Sequence, residues 1–444
     1  MGEDKVDPPE DSSKSPAEDL GEIIPPDSPL EAYMRWATEA HGAPPIYHLA
    51  CVLAVLAHEL ARRGFKLRSH PLGLWFALIG ESAIGKSSAI SMAEQFIRDA
   101  WKMAGLDLDP DPWLEAEGSI AGLLAALQER YDPSRGTTTA ILFQHEAASL
   151  FATREPISEM LCRLADGQSY QRNLRELQKK RDRPDKIEAP VLSALVATTE
   201  SALAPHFTEA QRSGGIYSRL AWLKPPFSPG RLRLEGVDTR KADGLRVLAL
   251  ESWVGWFVQM QLAFEGELLI ETSPEAHALL ERELFEPVRA TLRESDDNNG
   301  VKLRTIDRTR VVAAVLASQR LVRVVEPEDM RRAVRLGQIL LVHAKRITLG
   351  SADTYRLSQR VEHIIRAQAE SGTTTRTLYT RVKTDSRSLH AALGQLMEQG
   401  RVFEDTGIDG VKRFYHSKTT RGGQLASDAG RRAGQVFNLT RKPN

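Results

Sequence analysis

The feature that most limits what this chain can fold into is the run LWFALIGESAIGKSSAI, from Leu74 to Ile90. A short, continuous apolar stretch reads as a strand buried on both faces. It leads directly into Gly80-Glu81-Ser82-Ala83-Ile84-Gly85-Lys86-Ser87, the spacing G-x-x-x-x-G-K-[ST], and then into a helical pattern. Strand, glycine-bounded loop, then helix is the context in which this spacing carries chemistry. Gly80 and Gly85 let the backbone turn with its N–H groups inward, where they can cradle phosphate oxygens. The positive end of the helix beginning near Lys86 adds to the attraction. Lys86 is expected to reach the β- and γ-phosphates and the Ser87 hydroxyl to ligate Mg²⁺, with Ser88 completing the binding segment. The loop does not reveal the base.

Around this segment the chain alternates buried-strand and helix patterns. FKLRS, TTAILFQHE (138–146), PVLSALVATTE (190–200) and, more weakly, SRLAWLKP read as strands. KSSAISMAEQFIRDAW and SIAGLLAALQERY read as helices. That alternation predicts an α/β core with a mostly parallel sheet. Residues 1–28 are rich in Pro, Ser, Asp and Glu and predict a disordered acidic tail. Helical segments follow at 29–70, the phosphate-loop core at 71–230, a mostly helical lid at 231–350, a small module at 353–418 and a flexible basic tail at 419–444. No apolar run approaches the roughly 20 residues that cross a bilayer, and the acidic start is unlike a secretory signal. Cys51 and Cys162 are far apart and read as reduced thiols. The expectation is a cytoplasmic protein with no membrane contact.

Three polar signals follow the loop. AILFQHEAASLF ends in His145-Glu146. In P-loop ATPases with an additional strand, an Asp-Glu pair stands there, the Asp orienting the magnesium shell and the Glu the attacking water. Glu146 fits the second place. His145 stands in the first, and neutral imidazole is a poor ligand for hard Mg²⁺. Slow hydrolysis or a binding-only site therefore stays open, as does a plain surface carboxylate. Thr198 and Thr199 end the next strand, where a polar residue senses the γ-phosphate, positions water or caps a helix. Arg219, in RSGGIYSRLAW, follows a glycine pair and precedes a strand. In oligomeric ATPases an arginine so placed enters the neighbour's site, and a solvated charge is the alternative. Arg308 and Arg310 are weaker candidates for a second phosphate sensor.

The order LIGESAIGKSSAI, ILFQHEAASLF, LADGQSYQRNLREL, PVLSALVATTESALAP, GGIYSRLAWLKP and a helical lid resembles a family of P-loop ATPases of the AAA+ or RecA-like kind. These are carried by phages, plasmids and integrated elements, often fused or adjacent to primase modules. The resemblance covers residues 28–350. It implies a helicase-like, ring-forming homo-oligomer, such as a hexamer, that uses ATP and Mg²⁺, with a primase or other replication partner. It assigns phosphate binding to Gly80–Ser87, water activation to Glu146 and a trans contact to Arg219. In such a ring, the basic insert with Arg172, Arg175, Lys179 and Lys180 can enter the channel and hold a phosphodiester backbone. A solvated charged helix is the alternative.

The chain's zero net charge hides an asymmetry: residues 1–30 hold nine acids against two lysines, and residues 351–444 hold sixteen Lys/Arg against nine acids. Three helical patterns, the third with a stripe of Leu389, Ala392, Leu393, Leu396 and Met397, precede VFED-TGIDG-VKRFYHS, which reads as a β-ribbon. This is a winged-helix pattern, with Arg381, Arg387, Lys412 and Arg413 as the DNA-contacting candidates. Two functions fit: an ATP-driven DNA motor, or an ATP-gated DNA-binding switch or loader with little turnover. A small-molecule kinase fits the terminal module poorly.

Overall fold

IYHLACVLAVLAHELA is apolar on every side, so a helix built from it must be surrounded by protein. In the computed structural model, every residue from Ile46 to Ala61 of helix α2 (Pro45–Arg62) is buried. The structure describes residues 20–68, 70–106, 108–115, 120–147, 157–171, 186–203, 215–226, 239–264, 268–292, 299–347, 352–368, 371–384, 386–398, 401–406 and 411–417. Of the expected tails 1–28 and 419–444, residues 1–19 and 419–444 lie outside them, as does the basic insert 172–185. Residues 20–28 are instead ordered, with a short helical turn Leu20–Glu22 and Ile23 buried in the core because its apolar side chain packs there. The chain forms two compact units, residues 1–199 with 212–347, and residues 200–211 with 348–444.

The first unit is α/β. Its main sheet contains β2 (Trp75–Ile79), β3 (Trp113–Glu115), β4 (Tyr131–Asp132), β5 (Thr137–Gln144), β8 (Pro190–Thr198) and β9 (Ala221–Leu223). Among the described residues the order is β3-β5-β8-β2-β9, all parallel, with β4 antiparallel on β5. All five residues of β2 are buried, as expected for a central parallel strand. β5 and β8 stop at Gln144 and Thr198, two residues short of the sequence expectation, where buried apolar positions give way to polar ones.

The FKLRS strand joins a different sheet. β1 (Phe65–Leu67) pairs in parallel with β10 (Leu268–Thr272), which pairs with β11 (Val324–Val325). The last two lie in the region expected to be mostly helical. A small hairpin, β6 (Tyr170–Gln171) with β7 (Lys186–Ile187), brackets the basic insert.

Residues 29–62, the sheet and residues 239–347 belong to one unit, and one aromatic cluster shows why. Tyr33 and Trp36 of α1 (Pro29–Ala40), Phe96 of α3 (Lys86–Met103) and Trp253 of the helix Thr239–Ala263 meet with ring centroids 5.0–6.5 Å apart. The fully buried Trp253 also donates its indole N–H to the Pro29 carbonyl at 2.7 Å. Aromatic side chains of this size bury roughly 150–250 Å² each, so the cluster binds the three helices firmly.

In the second unit, helices Ala352–Ala367, Thr375–Val382 and Ser386–Glu398 pack around Val361, Ile365, Leu378, Leu389, Leu393 and Leu396. The hairpin β13 (Val402–Thr406) with β14 (Lys412–His416) follows, and β12 (Thr373–Thr374) pairs with β14 as a third antiparallel strand. Glu362 is paired with both Arg401 and His416, tying the first helix to the hairpin. Met397, expected in the apolar stripe, is exposed. At 100° per residue it lies one step round the helix from Leu396, beyond the buried face. No helix among the described residues is long and apolar enough to cross a membrane.

Candidate functional site

Parallel strands leave their carboxyl ends at one edge, where binding loops gather. Here Ile79 of β2 is in register with Thr198 of β8, and Gln144 of β5 with Val196. Gly80–Ser87, Thr198-Thr199 and His145-Glu146 therefore leave the same edge. One strand, β8, separates the loop strand from the strand ending beside Glu146.

The loop is open on its outer side and braced from below. Glu81, Ser82 and Ala83 are exposed, as are Ser87 and Ser88. Ala83 and Gly85 take left-handed conformations, with φ of 66° and 87°. Alternation of this kind turns successive N–H groups toward one side, the geometry of an anion-binding concavity. A positive φ at alanine is costly and clusters at functional sites. A Cβ on Gly85 would lie 2.6 Å from His41 Cε1 and 2.8 Å from the Ala43 Cβ, so the connector between α1 and α2 closes that side. Tyr47 donates its hydroxyl to the Ile79 carbonyl at 2.7 Å, fixing the strand end that feeds the loop.

Lys86 opens α3 and is 8 % exposed. Its ammonium donates to the Gly80 and Glu81 carbonyls at 2.7 and 2.6 Å. Burial pulls its pKa below the ordinary lysine value, and the Glu81 carboxylate opposes that shift. Beneath the connector, burial followed by the neighbouring His41 brings His48 down to about 3, so its ring is neutral.

Thr198 is buried, and Thr199 follows it at the sheet edge. Glu146 is exposed two residues beyond β5, and the Ala147 N–H donates to the Ala197 carbonyl at 3.0 Å. The turn carrying Glu146 thus lies along the end of β8. The His145 ring packs edge-on to Phe143, centroids 5.5 Å apart.

Arg219 lies at the other edge. It precedes β9, whose Ala221 is in register with Phe76. At about 3.3 Å per residue, that leaves it roughly 20 Å from the chain's own loop. Its Nε donates to Asp166 Oδ1 at 3.0 Å, its Nη2 to Asp166 Oδ2, and its Nη1 to the Gly215 carbonyl at 2.8 Å. Arg304 holds Asp166 Oδ1 from a second direction at 2.7 Å.

Arg308, expected as a phosphate sensor, is buried beside this group rather than at Gly80–Ser87. It donates Nη2 to the Ser218 carbonyl at 2.5 Å. Its Nη1 has no hydrogen-bond partner among the described residues. Burial, then Arg304, brings its pKa down to about 9, which leaves it charged at neutral pH. Arg310 is placed elsewhere on the same helix, Asn299–Ser318, against His70 and Asp307.

Of the DNA-contacting candidates, Arg172, Arg175, Lys179 and Lys180 lie outside the described residues. Arg381 and Lys412 are exposed and Arg413 is half-buried, the last two at the start of β14, and Lys412 pairs with Glu404 at 2.7 Å. Arg387 sits in the first turn of the helix Ser386–Glu398. Asp166, Arg304, Gly215 and Tyr47 were not singled out from the sequence. Only the glycine pair before Arg219 hinted that its surroundings are shaped.

The architecture so far defines an α/β protein with a parallel sheet and a braced loop at its carboxyl edge. No protein-family model matches the chain, and no curated protein matches it.

Proposed function

We propose that this chain is a P-loop ATPase that acts as an ATP-dependent DNA motor, a ring-forming, helicase-like enzyme of mobile-element replication, with a terminal winged-helix domain. The observation that carries the reading is the shared carboxyl edge: a left-handed, braced Gly80–Ser87 loop, the Thr198-Thr199 strand end and Glu146, with one strand between loop and carboxylate strands. The residues present fit a nucleotide with Mg²⁺. Lys86 rests on carbonyls that an anionic phosphate can replace, and Ser87 is exposed at the start of α3. Bound Mg²⁺ neutralises phosphate charge. Ser87 would hold the metal, Lys86 would turn from its carbonyls to the phosphates, and Glu146 would orient a water molecule. Arg219, roughly 20 Å from its own loop by strand spacing, serves the site of a neighbouring copy. The basic insert and the second unit contact DNA.

The test is ATP hydrolysis with and without single-stranded DNA, comparing the native chain with Glu146→Gln. DNA-stimulated turnover that disappears in the variant supports a motor. Negligible turnover in both sinks it. One observation favours the ATP-gated switch instead: His145 stands where a magnesium-orienting acid is expected. That reading predicts tight nucleotide binding and nucleotide-dependent DNA affinity without turnover.

A further inference from the structure

We propose that Asp166, Gly215 and Arg304 form a cradle that withholds Arg219 in the separated chain and yields it when a second copy of this chain presents a nucleotide phosphate. This rests on the reading of Arg219 as a trans contact and adds two positioning residues, Asp166 and Arg304.

The cradle uses every face of the guanidinium. Nε and Nη2 take the two Asp166 oxygens, and Nη1 takes the Gly215 carbonyl. Gly215 is required for the fit: a Cβ there would come 2.5 Å from Arg219 Nη1, and its φ of 103° disfavours any side chain. The turn that carries Arg219 is itself anchored, with the Trp222 indole N–H on the Tyr217 carbonyl at 2.8 Å and Arg308 on the Ser218 carbonyl. The backbone is therefore fixed, and the side chain is the part that can move. Arg219 and Asp166 are 16 % and 14 % exposed, so they lie just below the surface rather than in the core.

The stoichiometry argues against a simple structural pair. Removing the partner of a buried carboxylate leaves an uncompensated charge, which is strongly unfavourable. Asp166 has a second arginine, Arg304, which is more exposed and remains on Oδ1 if Arg219 leaves. Arg308 lies close enough to feel both Arg304 and Arg219, and the Asp307 carboxylate offsets part of its charge. Two arginines share the Asp166 carboxylate and a third, partly offset by Asp307, lies close behind them, an arrangement that favours an incoming anion. Phosphate oxygens accept the same bidentate geometry that Asp166 now supplies.

The experiment uses the full chain. ATP hydrolysis per subunit is measured with single-stranded DNA across protein concentrations for the native chain, Asp166→Asn, Arg304→Gln, Gly215→Ala, Arg219→Ala and Asp166→Asn with Arg219→Ala. Weakening the cradle through Asp166→Asn or Gly215→Ala raises turnover about threefold or more at low protein concentration. Arg304→Gln lowers turnover by a similar factor, because Asp166 then loses its remaining partner when Arg219 departs. The double variant shows no gain over Arg219→Ala.

A structural ion-pair cluster would make Asp166→Asn and Arg304→Gln change turnover in the same direction. That result, no change in either, or a gain that survives loss of Arg219, overturns the proposal. A second readout is independent of turnover: the rate at which an arginine-directed dicarbonyl modifies Arg219, followed by peptide mass spectrometry. The expected order is Asp166→Asn fastest, native chain next, Arg304→Gln slowest. Unchanged reactivity in Asp166→Asn overturns the cradle. If the native chain neither binds nor hydrolyses ATP, the functional reading fails while the modification order still decides the cradle.

Discussion

The two edges of the main sheet hold their cations in opposite ways. At the carboxyl edge, Lys86 is satisfied by two neutral carbonyls of its own loop. At the amino edge, Arg219 is satisfied by a full negative charge that it shares with Arg304. Carbonyl dipoles yield to any phosphate, whereas a carboxylate yields only to a competing anion that brings as much charge. On the proposed reading, the loop edge would take ligand directly and the arginine edge would respond only when something strongly anionic is brought to it. That difference would separate binding from response within one domain.

The sharpest way to break this comparison is at the carboxylate. Glu146→Gln is expected to lower DNA-stimulated ATP turnover by about a hundredfold or more while leaving nucleotide affinity unchanged, as read by steady-state hydrolysis beside a fluorescent-nucleotide titration. Lys86→Ala should weaken nucleotide binding by about 10- to 100-fold, the value of a charge-assisted hydrogen bond, in the same titration.

Acid should act first on helix α2, with His48 beneath the loop's connector and His58 further along the helix. Burial lowers His48 to about 3 and His58 to about 4, so the unfolded chain binds more protons than the folded one below their ordinary value near 6.5. Their contribution to stability is complete above pH 6.5 and is lost as pH falls toward those lowered values, about 2 kcal/mol per histidine between pH 7 and pH 5. Urea unfolding at the two pH values measures it, and His48→Gln should flatten the dependence. The smallest effect sharpens the comparison most: Arg219→Ala should leave nucleotide affinity of the dilute chain unaltered. A clear loss in isothermal titration would mean that the two edges communicate within one chain.

Much of the first unit was legible because its signals are local. β2 is a closed apolar run followed by two fixed glycines, and α2 is apolar on every side, so both announce burial without reference to the rest of the chain. β10 and β11 were missed because strands of five and two residues inside helical sequence carry too little period to register. Met397 was misplaced by one helical step. Tyr47, Asp166 and Arg304 were invisible for a different reason. Each acts through a partner 32 to 138 residues away, at Ile79, Arg219 and Asp166, and a sequence read by itself gives no sign of such pairings. Arg308 shows the converse: its residue type suggested a phosphate, and only its burial against Ser218 reveals which edge it serves.

The intervening strand β8 sets a width. Neighbouring strands lie roughly 4.8 Å apart, so the strands that lead to Lys86 and to Glu146 stand about 10 Å from each other. On the proposed reading, a terminal phosphate with a water molecule behind it would fill that span and bring Lys86 and Glu146 to bear on one reaction.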